Sequence, residues 1–152
     1  MWKKVRTLLR LHPRMILLLF EALFYLAWAR ILKSVPFAKV APSLGNRREE
    51  TPHTGNQPNE TLIKDISKAV RMMSRNTIWE SKCLVQAIAG MKMLERRKIE
   101  STLYLGTARD TNGKMIAHAW LRSGSIYISG AETMDKFTVV EVFGKRIQRL
   151  ES

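Results

Sequence analysis

The hydrophobic positions of the chain form three successive patterns between its N-terminus and its C-terminus. A dense apolar run covers residues 15–29, and apolar positions at helical spacing follow in residues 61–75 and 81–97. Short β-like runs separated by turn residues then occupy residues 102–109, 115–122, 125–129 and 137–143. Helical spacing predicts amphipathic helices, and short bounded runs predict strands joined by hairpins. Helices followed by an antiparallel sheet, without βαβ alternation, indicate an α+β fold.

The segment 41–60 interrupts this pattern because it contains Pro, Gly, Asn and charged residues but almost no large apolar side chain. Such composition is typical of a loop or linker. The chain is therefore predicted to consist of a basic apolar helical segment over residues 1–40, a linker over residues 41–60 and a globular domain over residues 61–152.

The dense apolar run has several interpretations. Fifteen helical residues extend roughly 22 Å, short of the ~30 Å hydrocarbon core, and a longer span would have to bury Glu21 and Arg30. A cleaved signal peptide fits poorly, because Arg30 and Ile31 stand where a small-residue cleavage pattern is expected. A helix covered by protein is favoured, a helix at a membrane surface comes second, and a full span comes last. We accordingly expect a cytoplasmic protein, with membrane association through this helix as the open alternative.

Positive charge is concentrated at the N-terminus of the chain. The formal net charge is +13, from 26 Lys and Arg against 13 Asp and Glu. Residues 1–39 carry +7 of it, because Glu21 is their one acid. The remaining body is only modestly basic, so the sequence predicts no nucleic-acid partner.

The single cysteine, Cys83, excludes an internal disulfide and a four-cysteine zinc site. It falls in the first turn of the second predicted helix, with Ser81 as the expected N-cap and Lys82 beside it. Free backbone N–H groups and a neighbouring cation favour the thiolate at such a position. The alternative is a small buried hydrophobic residue on the apolar face of the helix.

Of the three histidines, only His118 lies in a predicted strand, between Ala117 and Ala119 and near Trp120. An imidazole held within hydrogen-bond reach of a thiol forms a nucleophile and base pair. A half-buried structural histidine is an equally good interpretation from the spacing alone. One cysteine and one ordered histidine leave a metal site short of ligands, so no metal is predicted.

These residues also carry a family resemblance. The chain resembles the transglutaminase-like cysteine proteases that remove leader peptides in lasso peptide biosynthesis, with the strongest similarity between residues 83 and 143. The N-terminal apolar helix, the Lys33-x-x-Pro36-Phe37 segment and Leu44-Gly45 resemble the family more weakly. The matching motifs are Cys83-Leu84 with Gln86-Ala87, Leu94-x-Arg96-Arg97, Leu103-Tyr104-Leu105-Gly106 and Ala117-His118-Ala119-Trp120.

The resemblance implies a papain-like or transglutaminase-like core in which Cys83 attacks a peptide carbonyl and His118 takes and returns the proton. The family usually places an Asp about twelve residues after the histidine, but Ser129-Gly130 stands there in this chain. If Ser123-Gly124 forms the hairpin turn, Ser129 lies opposite His118, and its hydroxyl or a backbone carbonyl orients the imidazole. Glu132 is the other candidate for the third catalytic residue.

The resemblance further implies the partners. The substrate is a ribosomally made precursor peptide, a separate leader-binding protein delivers it, and an ATP-dependent macrolactam cyclase acts on the product. The reaction needs no cofactor. We expect the leader-binding protein to dock on the apolar helix, over Leu19, Phe20, Leu23 and Leu26.

Two other functions remain open. One is a membrane-surface or partner-binding protein whose α+β body is a non-catalytic scaffold. The other is an acyltransferase or transglutaminase that uses the same Cys83 and His118 but transfers the acyl group to an amine.

Overall fold

A computed structural model of the chain describes residues 12–53, 59–76 and 83–146, together with Trp2, Lys3, Arg6 and Arg10. The predicted cap Ser81 and the neighbouring cation Lys82 lie outside the described residues. The described helices are α1 (Pro13–Lys33), α2 (Phe37–Val40), α3 (Glu60–Asn76) and α4 (Cys83–Arg96). The strands are β1 (Asn46–Arg47), β2 (Ser101–Arg109), β3 (Met115–Ser123), β4 (Ile126–Ser129) and β5 (Thr138–Lys145). Short 3-10 helices cover Ala41–Leu44 and Ala131–Lys136.

The five strands form one antiparallel sheet in the order β1-β5-β2-β3-β4. Helices precede nearly all of this sheet along the chain, which confirms the predicted α+β fold. The apolar positions of β2 and β3 that face the helices, among them Leu103, Ala119 and Leu121, are almost fully buried. Gly90 of α4 lets the helix approach closely, because a Cβ there would meet Leu121 and Ile128 side chains at 2.9 and 3.0 Å.

Helix α1 is longer than the apolar run predicted. It begins at Pro13, where the fixed φ of proline suits the first helical position, and the His12 side chain accepts a hydrogen bond from the Arg14 amide. Its 21 residues extend about 31 Å, compared with the roughly 22 Å expected for the apolar run alone. The residues from Pro13 to Leu32 are long and apolar enough to span a membrane, although core helices of soluble proteins meet the same criterion.

One face of α1 belongs to the core. Six of its side chains are buried against α3 and α4, and they are Met15, Leu18, Leu19, Ala22, Leu26 and Ala29. Leu19 and Leu26 are therefore not part of an exposed docking surface, contrary to expectation. Phe20 lies outside this set and is 66% exposed.

The predicted linker is more structured than its composition suggested. Ala41–Leu44 form a 3-10 turn, and β1 pairs with β5 through Asn46 opposite Gly144. Thr51 is buried, and its amide donates to the Thr102 hydroxyl at 2.9 Å. Polar residues form structure here because an existing sheet edge satisfies their backbone groups. The predicted boundaries at residues 40 and 60 stay a prediction.

The β3–β4 hairpin differs in register from the predicted one. Its turn is Gly124-Ser125, since Ser123 pairs with Ile126, and Gly124 adopts φ +57°. Beyond the turn a bulge shifts the pairing, so that Leu121 rather than His118 lies opposite Ser129. The expected pairing of His118 with Ser129 was wrong for two reasons. The turn lies one residue further along the chain than predicted, which moves the pairing by two residues, and the bulge moves it by one more.

Candidate active site

Cys83 and His118 line the same cavity, which has a volume of about 220 Å³. Cys83 comes from the first described turn of α4, and His118 comes from the middle of β3. Both residues are partly exposed. The other lining residues are Arg71, Ser74, Arg75, Gln86, Gly130 and Glu132.

Cys83 keeps one side against the hydrophobic core while it borders the cavity. Cys83 thus has features of both interpretations, the buried hydrophobic residue and the accessible thiol. The helix fixes the thiol on the core, as a small apolar residue would be fixed, and the cavity leaves it accessible to a substrate. A thiol that is held in place and accessible can serve as a nucleophile.

The His118 imidazole is held by the main chain. Its Nε2 lies 2.8 Å from the Gly130 carbonyl oxygen and 3.3 Å from the Thr133 hydroxyl. A carbonyl oxygen only accepts hydrogen bonds. Nε2 therefore carries a hydrogen atom and donates a hydrogen bond to the Gly130 carbonyl oxygen. In the neutral ring the lone pair is then on Nδ1, which leaves that nitrogen able to act as a base.

Gly130 is required for this contact. Its φ is +78°, a left-handed conformation that side chains other than glycine rarely adopt. A Cβ on Gly130 would also run into the Ala119 carbonyl oxygen and approach the Trp120 Cβ at 2.9 Å. Replacement of this glycine would therefore shift the carbonyl that holds His118.

Aromatic rings fix the plane of the imidazole. Phe137 stacks on His118 with 4.9 Å between ring centroids, and Trp120 stacks at 5.9 Å. Gly106, which pairs with His118 across the β2–β3 ladder, leaves room for these rings. A Cβ on Gly106 would lie 2.9 Å from both the Phe137 Cβ and the Trp120 ring. The ring thus has a defined orientation as well as a defined tautomer.

Comparison with protein-family models gives a match to the transglutaminase-like superfamily over residues 22–142. The chain belongs to the transglutaminase-like superfamily. The matched region includes Cys83, His118 and most of α1. This superfamily includes cysteine proteases and acyltransferases. Comparisons with curated proteins and with solved structures gave no match.

Neither candidate for the third catalytic residue, Ser129 or Glu132, is hydrogen-bonded to His118 within the described part of this transglutaminase-like fold. The Ser129 hydroxyl is buried and has no hydrogen-bond partner in the described part of the chain. The Glu132 carboxylate lines the cavity but pairs with Arg71 at 3.2 Å. At Nε2 of His118 the structure instead has Gly130, twelve residues further along, where the family's Asp was expected.

Arg71 joins this wall of the cavity to the sheet. Its Nε donates to the Ile128 carbonyl at 3.3 Å, and the Ser67 hydroxyl donates to the same oxygen at 2.6 Å. Helix α3 is thereby tied to the end of β4, just before Gly130. Sequence analysis did not identify Arg71, because one arginine on the polar side of an amphipathic helix carries no distinguishing signal.

No group of three or more His, Cys, Asp or Glu side chains is arranged to hold a metal ion among the residues that the structure describes. The chemistry available in the cavity is that of a thiol, an oriented imidazole and two guanidinium groups, Arg71 and Arg75, beside one carboxylate.

Proposed function

We propose that this chain is a cysteine endopeptidase that removes the leader peptide from a lasso peptide precursor. The observation that supports the proposal most is the convergence of Cys83 and His118 on one cavity, with the imidazole tautomer set by Gly130. Membership of a superfamily that includes cysteine proteases supports the class of reaction. The motif resemblance between residues 83 and 143 supports the leader-peptidase role.

The chemistry proceeds through a thioester. Nδ1 of His118 takes the Cys83 thiol proton as the sulfur attacks the scissile carbonyl carbon. The tetrahedral intermediate collapses when the imidazolium gives its proton to the leaving amine, which releases the core peptide with a free N-terminus. Water then attacks the thioester with His118 as the base, and the leader leaves with a new carboxylate. The resemblance assigns the Cys83 backbone N–H as oxyanion donor.

The size of the cavity supports delivery by a second protein. A volume of about 220 Å³ is below the range of ordinary small-molecule pockets and accommodates little more than one side chain. Selectivity for one precursor then has to come from contacts far from the scissile bond. A separate leader-binding protein supplies them by holding the bond at the site in high effective concentration. The freed N-terminus is the substrate of the ATP-dependent cyclase.

The test uses the full chain, a lasso precursor and its leader-binding protein, with products identified by mass spectrometry. We expect cleavage at a single bond between leader and core, and loss of cleavage in Cys83→Ala and Cys83→Ser. His118→Ala should also lose cleavage, and His53→Ala is its matched control, because His53 is exposed and distant in sequence from the cavity residues. Alkylation of the single cysteine should inactivate the enzyme, and bound precursor should slow the alkylation.

The same experiment separates protease from acyltransferase. A primary amine such as glycine ethyl ester is added, and the leader product is examined for a new amide in place of a carboxylate. Dominant amide formation at modest amine concentration would indicate transfer to an amine, so the hydrolase proposal would fail. If Cys83→Ala cleaves the precursor as fast as the parent chain, Cys83 is not the nucleophile.

A further inference from the structure

Helix α1 has two apolar faces, and the fold uses only one of them. Opposite the buried face lies a stripe of large apolar side chains, spaced by three, four and seven residues. We call these residues the α1 stripe: Leu17 (70% exposed), Phe20 (66%), Phe24 (64%) and Ile31 (65%). Four such side chains in one row are far more apolar surface than isolated exposed residues present.

The one acid of α1 points away from this stripe. Glu21 is only 10% exposed, and its carboxylate accepts a hydrogen bond from Arg97 at 2.7 Å and pairs with Arg96 at 3.5 Å. The hydrogen bond that Arg97 donates to Glu21, together with the charge of that carboxylate, raises the pKa of Arg97, against the opposing effect of burial. The Glu21 carboxylate is therefore compensated inside the fold by two guanidinium groups.

Exposed cations lie near both ends of α1. Arg10, Arg14, Arg30 and Lys33 are exposed before and along α1, and Trp2 is 81% exposed. Arg14 has one partner in Asp65, at 3.5 Å and with both side chains partly in solvent. An exposed apolar row with basic residues at both ends and no exposed acid is the composition of a helix that lies in a lipid headgroup region.

We infer that the α1 stripe docks on an anionic lipid bilayer, with α1 lying parallel to the membrane plane. The apolar side chains enter the boundary between headgroups and acyl chains, while Arg10, Arg14 and Arg30 contact lipid phosphates. A spanning orientation is disfavoured because it would pull six buried side chains out of the core and separate Glu21 from Arg97. This inference is independent of the proposed peptidase activity.

Charge distinguishes the bilayer from a second copy of the chain as the occupant of the stripe. A second copy of the chain would bring another N-terminal segment of charge +7 against the first, and like charges oppose that contact. An anionic bilayer offers both an apolar layer and a negative surface. It therefore matches both properties of α1.

The experiment measures co-flotation of the full chain with vesicles of phosphatidylcholine alone or with added phosphatidylglycerol. We expect binding to the anionic vesicles and little to the neutral ones. Phe20→Ser with Phe24→Ser should weaken binding by an order of magnitude or more. Arg10→Gln with Arg14→Gln should weaken it roughly fivefold per cation. Raising the ionic strength from about 0.1 M to about 1 M should release much of the bound protein.

Matched variants control for nonspecific effects. Met115→Ser with Val140→Ser removes two apolar side chains of similar exposure, 63% and 58%, from the sheet, and should leave binding unchanged. Lys114→Gln with Lys136→Gln removes two exposed cations away from α1, and it should also leave binding unchanged. Circular dichroism should show unchanged helix content in the stripe variants, because Phe20 and Phe24 are outside the core.

Absence of binding to anionic vesicles would overturn the inference, and so would equal loss of binding in the Met115/Val140 control. A stripe variant that converts a dimer into a monomer, without any vesicle binding by the parent chain, would assign the stripe to a second copy. Cys83→Ala should bind vesicles like the parent chain, so failure of the peptidase proposal is distinguishable from failure of this one.

Discussion

His118 and Arg122 are polar residues that lie four residues apart on β3, but their environments differ. Arg122 is 1% exposed and makes five hydrogen bonds, to Tyr104, Pro52, Gly124, Thr51 and Thr102. His118 is partly exposed, is held at Nε2 and borders the cavity. Both belong to one column of rings, because Trp120 stacks on His118 and on Tyr104, and the Arg122 guanidinium lies 5.8 Å from the Tyr104 ring centroid.

The difference shows that one strand carries both a residue that stabilises the fold, Arg122, and a residue that is available for proton transfer, His118. A buried cation whose donors are all satisfied holds the 51–52 segment against the sheet and has no proton to exchange at neutral pH. A histidine held at one nitrogen retains the other for proton transfer. The two residues should accordingly respond to substitution in different assays.

The largest expected effect is on catalysis. His118→Ala should lower the rate of precursor cleavage by roughly a thousandfold or more, since the general base is lost. The unfolding free energy should fall by only about 1 kcal/mol, through loss of ring stacking. Cleavage kinetics and thermal unfolding, measured on the same preparation, check this. An unchanged cleavage rate in His118→Ala would contradict the role of His118 as general base, because His118 would then be only structural.

Arg122→Met should give the opposite result. The carbonyls of Thr51, Pro52 and Gly124 would lose a buried donor, and we expect a loss of about 3 kcal/mol in unfolding free energy. Arg109→Met is the control, because Arg109 is exposed on β2 and donates to one carbonyl, that of Gly113. Denaturant unfolding of both variants is the measurement, and equal stability of the two would contradict the role assigned to Arg122.

A smaller effect is expected from the glycine that holds His118. Gly130→Ala should lower kcat by roughly tenfold to a hundredfold, since the added Cβ displaces the carbonyl at Nε2. Gly113→Ala provides a close control, because Gly113 has φ +77° but nothing within 4 Å of the added Cβ. Both variants should lose about 1 to 2 kcal/mol of stability through backbone strain, and Gly130→Ala should lose more, because its Cβ also meets the Ala119 carbonyl oxygen. Equal kcat in the two variants would show that the Gly130 carbonyl is dispensable.

The smallest effect concerns Tyr104, which joins the two residues of the comparison. Burial raises its pKa above the ordinary value of 10, while the Arg122 contact lowers it. The native state therefore retains this proton longer than the unfolded chain. The resulting stability is fully present below about pH 10 and is lost as pH rises through the native pKa. Absorbance titration at alkaline pH should show one late phenol that is missing in Tyr104→Phe, and Arg122→Met should delay it further.

The parts of the fold that depend on local periodicity were predictable from the sequence. Helices α3 and α4 and strands β2 and β3 have the spacing that their secondary structure requires, and Cys83 and His118 were identifiable on them. The prediction that Cys83 and His118 lie close together came from the motif resemblance and not from spacing. Two residues distant in sequence carry no local signal of contact.

Other features depend on tertiary contacts and were missed for that reason. The uniformly apolar α1 gives no indication of which face is buried, so Leu19 and Leu26 were assigned to a surface. The turn lies one residue beyond the predicted one, and the bulge between β3 and β4 has no distinctive residue, so the register at Ser129 was wrong. Arg122 lies in a predicted strand, but nothing local indicates that the 51–52 backbone surrounds it.

The pairing of Glu21 with Arg97 also has a consequence for the order in which the chain is made. Ribosomes add about 5 to 20 residues per second, so roughly 3 to 13 seconds separate the completion of α1 from the synthesis of Arg97. During this interval both apolar faces of the nascent helix lack their final surroundings and Glu21 is uncompensated. A free carboxylate at mid-helix opposes lateral transfer into the bilayer by the translocation machinery. The same residue thus keeps α1 available to its own core until α4 emerges.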